Sequence, residues 1–282
     1  MNEAALVTAD TAPAITLDVN DGIAMVRMTR ARQRNPFTTE FRSRMTEIMS
    51  EVQARDDIDV LMLTGSDGVF SAGGDVKGMA ARTSGKAPPP DADRRRLYTL
   101  HTWLQSLRTL EIPVIAAVDG PAYGGGFALA LCADFVLATP RARFCCVFGR
   151  IGLVPDCSVF FTLPRMVGLQ RAKELMFTGR ALDAHEAKDL GIVLDVHAPE
   201  QLLIEAQKLA NRLQRASSTA LGITKRIVNQ AFDLDANALV EMEAAAQAIC
   251  LASDYHKQAA LRFSEKQPLL FNWEQFEKDD GG

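Results

Sequence analysis

Three consecutive glycines, Gly124 to Gly126, stand in "IPVIAAVDGPAYGGGFALALCADF" between an apolar run that ends at Val118 and another that begins at Phe127. Glycine loses more conformational freedom on folding than any other residue, so three together weaken whatever element contains them. Bare backbone must be required there, for a tight turn, for a close packing contact, or for main-chain N–H groups presented to a ligand. The same plan occurs earlier. "IDVLMLTGS" reads as a buried strand, and "GVFSAGGDVKGMAA" passes from a short strand through Gly73-Gly74 into a helix. A helix start leaves N–H groups without intrahelical partners, and its dipole favours negative charge. Two such turns, if they converge, would hold an oxyanion with two main-chain donors. The alternative, that the glycines only let strand and helix pack closely, is equally open on the residues alone.

Around these turns the chain alternates strand and helix patterns. "AITLDVNDGIAMVRMT" alternates about Asn20-Asp21-Gly22, a hairpin signature. Phe41, Met45, Ile48, Met49 and Val52 recur at helical spacing behind a cap at Thr38 or Thr39. Residues 84–96, "SGKAPPPDADRRR", carry three prolines and predict a mobile loop, either a solvated connector or a flap. "LYTLHTWLQSLRTL" predicts an amphipathic helix. Pro155 and Pro164 bracket a predicted turn and short helix, and two helices follow, ended near Gly179 and Gly191. From Pro199 to about Arg262 the chain is almost entirely helix-forming. The expected division is therefore a strand-rich core domain, residues 1–198, and a C-terminal helical domain, residues 199–282.

At 48% hydrophobic and 23% charged the chain can bury a large core, and a formal charge of -4 gives no reason to expect nucleic acid or an anionic membrane as partner. No segment approaches the roughly 20 uninterrupted apolar residues of a membrane span. "MNEAALVTADTAPA" lacks a signal-peptide pattern, so the expected location is cytoplasmic. Five cysteines form no CxxC pair and no zinc spacing, and the expectation is reduced, buried thiols with no metal. His101, His185, His197 and His256 have no ligand spacing and read as structural or exposed.

Taken in order, "NPFTTEF", "GVFSAGGDVKGM", "IPVIAAVDGPAYGGGFALALCADFVLAT", "IGLVPD", "LPRMVG" and "AKELMFTGRALDAHEAKDLGIV" resemble the enoyl-CoA hydratase/isomerase family, the crotonase superfamily, over about residues 12–270. The resemblance implies an α/β core of repeated ββα turns and a C-terminal helical region that forms a homotrimer or homohexamer. It implies an acyl-CoA thioester substrate, with coenzyme A entering as part of that substrate and no separate cofactor. It also makes Gly74 and Gly125 the two N–H donors to the thioester oxygen.

Aligning the family's two hydratase glutamates places Ala128 and Phe148 at their positions. Neither can transfer a proton, which speaks against two-glutamate hydration. Asp156, in "GLVPD", matches the acidic proton shuttle of the isomerase branches; on the residues alone a helix N-cap is the competing reading. The stretch Ala72, Gly74, Asp75, Val76 and Lys77 matches a CoA-contacting segment, Arg30 and Arg32 match pantetheine or phosphate contacts, and Lys266 matches a residue that reaches CoA from a neighbouring subunit; on the residues alone Asp75 is equally a first-turn helix charge and the two arginines equally exposed surface residues. An acyl-CoA isomerase moving a double bond or opening a strained ring is thus expected. A hydratase or other lyase, and a catalytically silent acyl-CoA-binding protein, are its rivals.

Overall fold

The computed structural model describes residues 13–83 and 89–280, apart from the side chains of residues 77, 81–83, 90, 93 and 277–280. Strands β1 (Ile15–Asn20) and β2 (Ile23–Met28) form the expected hairpin, with Asp21 and Gly22 both at positive φ as its two-residue turn requires. β2 then begins a series of similar units. Each has a strand in the main sheet, a short strand outside it, and a helix: β2, β3 (Pro36–Phe37), α1 (Thr39–Gln53); β4 (Val60–Thr64), β5 (Gly73–Gly74), α2 (Val76–Thr83); and, after α3 (Pro90–Thr109), β6 (Val114–Val118), β7 (Pro121–Tyr123), α4 (Gly125–Leu131). β8 (Phe135–Ala138) and β9 (Arg143–Cys145) continue it into a 3₁₀ turn at Val147–Ile151 and helix α5 (Val159–Thr178). β10 (Ala181–Asp183), α6 (Ala184–Asp189) and β11 (Asp195–Val196) close the core.

The main sheet runs β1-β2-β4-β6-β8-β11, antiparallel only at the hairpin. Its strands are apolar on both faces because both are covered. One face, with Val26, Leu61, Leu63 and Ala116, packs against Phe41, Met45 and Ile48 of α1 and Trp103, Leu104 and Leu107 of α3. The other, with Val60, Met62, Ile115 and Leu137, is covered by Leu202, Ala206, Leu209 and Leu213 of α7 (Leu202–Leu213). Each leucine so buried contributes about 1.5–3 kcal/mol. The boundary drawn at residue 198 thus falls just before a helix that completes the sheet's second face.

Two local expectations change. Residues 84–88 of the expected loop lie outside the described residues, but residues 90–96 are not loop: α3 begins at Pro90, with Pro89 as its cap. Proline is tolerated in a first helical turn, whose N–H groups have no intrahelical acceptor in any case. Likewise Pro164 does not end its helix. It lies inside α5, and the break comes at Gly168, whose φ of 75° and ψ of 162° only glycine adopts readily.

Beyond α7 come α8 (Ser218–Val228), α9 (Ala236–Ala252), α10 (Asp254–Ser264) and α11 (Trp273–Asp280). No described helix is long and apolar enough to cross a membrane. An ion pair ties α8 to the core. Lys225 Nζ donates to Asp134 Oδ2 (2.7 Å) and to the carbonyl of Ile112 (3.0 Å), and the same carboxylate oxygen accepts from Val114 N (2.7 Å). Burial pushes the Asp134 carboxyl above and the Lys225 ammonium below their ordinary ranges, while their mutual attraction opposes both shifts. Removing one partner leaves the other charge buried alone. Lys225→Met is expected to lose roughly 3 kcal/mol in urea denaturation, and Lys225→Met with Asp134→Asn to recover a substantial part of that loss.

Candidate active site

Asn35 and Ser71 shape the approach to the first glycine turn. Asn35 is buried and takes a φ of 48° directly after Arg34 at 64°, the left-handed region that asparagine tolerates better than most residues. Its Nδ2 donates to the carbonyls of Val69 (3.0 Å) and Phe70 (2.8 Å). Ser71 Oγ donates to the Asn35 carbonyl (2.7 Å) and accepts from Gly73 N (3.0 Å). Buried polar groups require partners, and these bonds fix the backbone that enters Gly73. Gly73 and Gly74 do not merely end a strand; they form β5, paired in parallel with Pro36 and Phe37.

The second turn meets the first. Gly124, at φ 53° and ψ -116°, caps α4, donates its N–H to the Cys145 carbonyl (2.9 Å), and brings no side chain to the helix end. The first N–H groups of α4 therefore have no side-chain cap. A Cβ on Gly73 would collide with Gly125 N and the Tyr123 carbonyl, and one on Gly126 would collide with the Ser71 carbonyl. A Cβ on Gly125 would stand 2.8 Å from Phe37 Cε2. Close packing is therefore required here. Gly73 and Gly126 let backbone pass against backbone, and that contact sets the turn at Gly74 beside the turn at Gly125.

The wall next to this contact is apolar. A Cβ on Gly124 would come within 3.3 Å of Val147 Cγ1 and 3.8 Å of Phe148 Cζ, and both Phe148 and Ala128 are buried. The aromatic ring of Phe37 stacks on Phe41 and meets Trp103 edge-on, so Trp103 belongs to the core below the turns.

Asp156 is half-buried at the head of α5. Its side chain is not the helix cap. Ser158 holds that position without a side-chain capping bond, and Asp156 offers its main-chain carbonyl to Val159 N (3.1 Å). The two residues that follow it, Cys157 (φ 54°) and Ser158 (φ 69°), are both left-handed without being glycine, a conformation costing roughly 1–2 kcal/mol each. Ser158 Oγ lies 3.5 Å from His101 Nδ1 of α3. An imidazole read from the sequence as structural or exposed therefore meets the residue two positions after Asp156. No local signal marked it, because α3 and α5 are brought together only by folding.

The buried thiols nearby are held neutral. Burial, with smaller contributions from Cys145 and Asp156, pushes Cys146 up to about 12. Burial raises Cys157 well above its ordinary value, with Asp156 adding to the shift, and Cys132 is pushed up to about 12. None is a thiolate nucleophile near neutral pH. Among the described residues no cluster of His, Cys, Asp or Glu could hold a metal ion.

The remaining sequence candidates lie about the first turn or away from it. Ala72 N donates to the Arg34 carbonyl (2.8 Å), and Asp75 caps α2 through Oδ1 to Gly78 N (2.9 Å). Val76 is exposed; the side chain of Lys77 lies outside the described residues. Arg30 is paired with Glu40 (2.8 Å), Arg32 is exposed, and Lys266 is exposed just beyond α10.

The repeated strand–turn–helix core, with its two glycine turns in contact, is the α/β crotonase fold. The chain belongs to the enoyl-CoA hydratase/isomerase family, whose model matches residues 18–276. It is 31% identical over 251 residues to "1,2-epoxyphenylacetyl-CoA isomerase" of Escherichia coli, covering 89% of this chain and 95% of that one. It is 30% identical over 258 residues to "Crotonyl-CoA hydratase" of Syntrophomonas wolfei, covering 91% and 97%. A crystal structure of an enoyl-CoA hydratase/isomerase from Cupriavidus metallidurans superposes with a TM-score of 0.86 at 41% identity, over 92% of this chain and 96% of that one.

The collision geometry separates Gly125 from Gly126. Gly126→Ala, which drives a Cβ into the rigid Ser71 carbonyl, is expected to cost roughly 3 kcal/mol or more. Gly125→Ala, opposed by the Phe37 ring, is expected to cost roughly 1–2 kcal/mol. Thermal and urea melts of the two variants check this order.

Proposed function

We propose that this crotonase-family enzyme is an acyl-CoA isomerase that moves a double bond or opens a strained ring next to a CoA thioester. The observation that carries the reading is the apolar wall: the positions aligned with the hydratase glutamates are Ala128 and Phe148, both buried, and Asp156 is the carboxylate that remains on the segment behind them. One carboxylate suffices for a proton shift. Asp156 removes a proton from C2 of a 3-enoyl thioester, and the N–H groups of Gly74 and Gly125 hold the charge that develops on the thioester oxygen. The protonated Asp156 then returns the proton at C4, leaving the carboxylate as it began. The segment from Ala72 to Lys77 spans the first turn, and it is proposed, with Arg30 and Arg32, to contact the CoA portion.

Asp156→Asn keeps shape and removes proton transfer. Isomerisation of a 3-enoyl-CoA is expected to fall by roughly 10²-fold or more while thioester binding persists. Full activity in that variant would end the reading, and turnover by neither protein would favour a silent acyl-CoA binder.

A hydratase is the second reading, and His101 favours it. Hydration needs two proton-handling groups, and an imidazole beside Ser158 supplies a second one near Asp156. Rapid hydration of crotonyl-CoA by the parent protein, lost in His101→Gln, would replace the isomerase with this alternative.

We also propose a homotrimer or homohexamer formed through the C-terminal helices. None of the residues of α9 or α10 is buried, yet Phe232 is 79%, Val240 57%, Ile249 53% and Phe263 75% exposed. Exposed apolar side chains of this kind mark an association surface, and Lys266, just beyond them, is the residue proposed to reach the CoA of a neighbouring subunit. Light scattering at micromolar concentration is expected to give three or six times the chain mass; a monomer would remove both the assembly and that role for Lys266.

A further inference from the structure

Seven residues along α3 from His101, about 10 Å at the helical rise, stands Arg108. Opposite it, three residues after Ser158, α5 presents Phe161. Between these two helices and α8 lies a cavity of about 490 Å³. The guanidinium carbons of Arg108 and Arg165 lie 4.2 Å and 3.6 Å from the centre of the Phe161 ring. The two carboxylates that line the cavity are already paired, Asp233 with Arg165 (2.6 Å) and Glu111 with Arg226 (2.7 Å). Among the described residues no carboxylate pairs with Arg108, and its Nε is buried without a hydrogen-bond partner.

The macrodipole of α3 favours a cation in its last turn, which accounts for the charge at this position. It does not account for a guanidinium laid against an aromatic ring in the lining of a cavity, with its Nε buried and unpaired. Gln105 and Gln230 add amide groups to the same lining, and Asn229 is anchored there by its bond to the Arg108 carbonyl (3.1 Å). A planar fork of donors with no anion of its own matches a carboxylate, which it can bind through two parallel hydrogen bonds. The apolar ring beneath it suits the methylene or aromatic carbons that carry such a group.

We propose that this cavity is a carboxylate-binding site anchored by Arg108. The carboxylate has two sources of the same chemistry: the far end of an acyl group whose thioester sits at the glycine turns, or a free dicarboxylate. The first deepens the acyl-CoA reading and rests on it; the second does not.

Calorimetry on the full chain with saturated probes, which offer no double bond to move, tests the site directly. Suberyl-CoA is expected to bind the parent protein at least about tenfold more tightly than octanoyl-CoA, and Arg108→Met, which keeps an unbranched apolar stem and removes the guanidinium, to bind the two thioesters alike. That result assigns the carboxylate to the acyl chain. Binding of free suberate that is lost in Arg108→Met, with no difference between the thioesters, assigns it to a free ligand. If suberyl-CoA gains nothing over octanoyl-CoA and suberate does not bind, or if either preference survives in Arg108→Met and Arg108→Gln, the proposal is overturned. The parent comparisons decide the matter even where a variant does not fold. Failure of octanoyl-CoA itself to bind would strike the acyl-CoA reading instead, leaving free suberate to judge the cavity.

Discussion

The structure depends on one contact of backbone with backbone. Gly73 lies against Gly125 and Tyr123, and Gly126 lies against the Ser71 carbonyl, at separations that leave no room for a Cβ. Two units of the strand–turn–helix series are locked together at this point, and the lock also brings two sets of main-chain N–H groups side by side. The hydrogen bonds of Asn35 and Ser71 belong to the same device, since they hold one half rigid before the other half packs on it. In the proposed mechanism such a pair of donors needs no reorganisation when charge develops. The packing demand falls on the same glycine turns to which the proposed mechanism gives the donor role.

Around that contact the chain keeps ionisable groups few and controlled. The wall is Ala128 and Phe148, the neighbouring thiols are held neutral by burial, and Asp156 is followed by two strained residues. Strain of this kind persists only where the surroundings over-determine it, and here α3 and α5 do so from either side of Ser158. α3 thus has a double character. Its buried stripe of Trp103, Leu104 and Leu107 supports the sheet, while His101 and Arg108 on another stripe face α5.

Local patterns with a short-range physical cause were legible in the chain. The Asn20-Asp21-Gly22 hairpin, the Thr38 cap of α1 and the two glycine turns each follow from the conformational needs of the residues present. The same holds for the absence of glutamate at positions 128 and 148. Where the reading failed, a local rule had a second solution: prolines at 89 and 90 start a helix as readily as they interrupt one, and Gly168 took the break expected at Pro164.

What the sequence by itself determined is the family, the order of its elements and the two stretches of bare backbone, because turn chemistry and hydrophobic period act over a few residues. What only the tertiary structure decided is which groups meet. Gly73 and Gly125 are 52 positions apart, His101 and Ser158 are 57, and Arg108 and Phe161 are 53. Such pairs come together when strands enter one sheet and helices cover it, and no periodicity along the chain records a contact made across that distance.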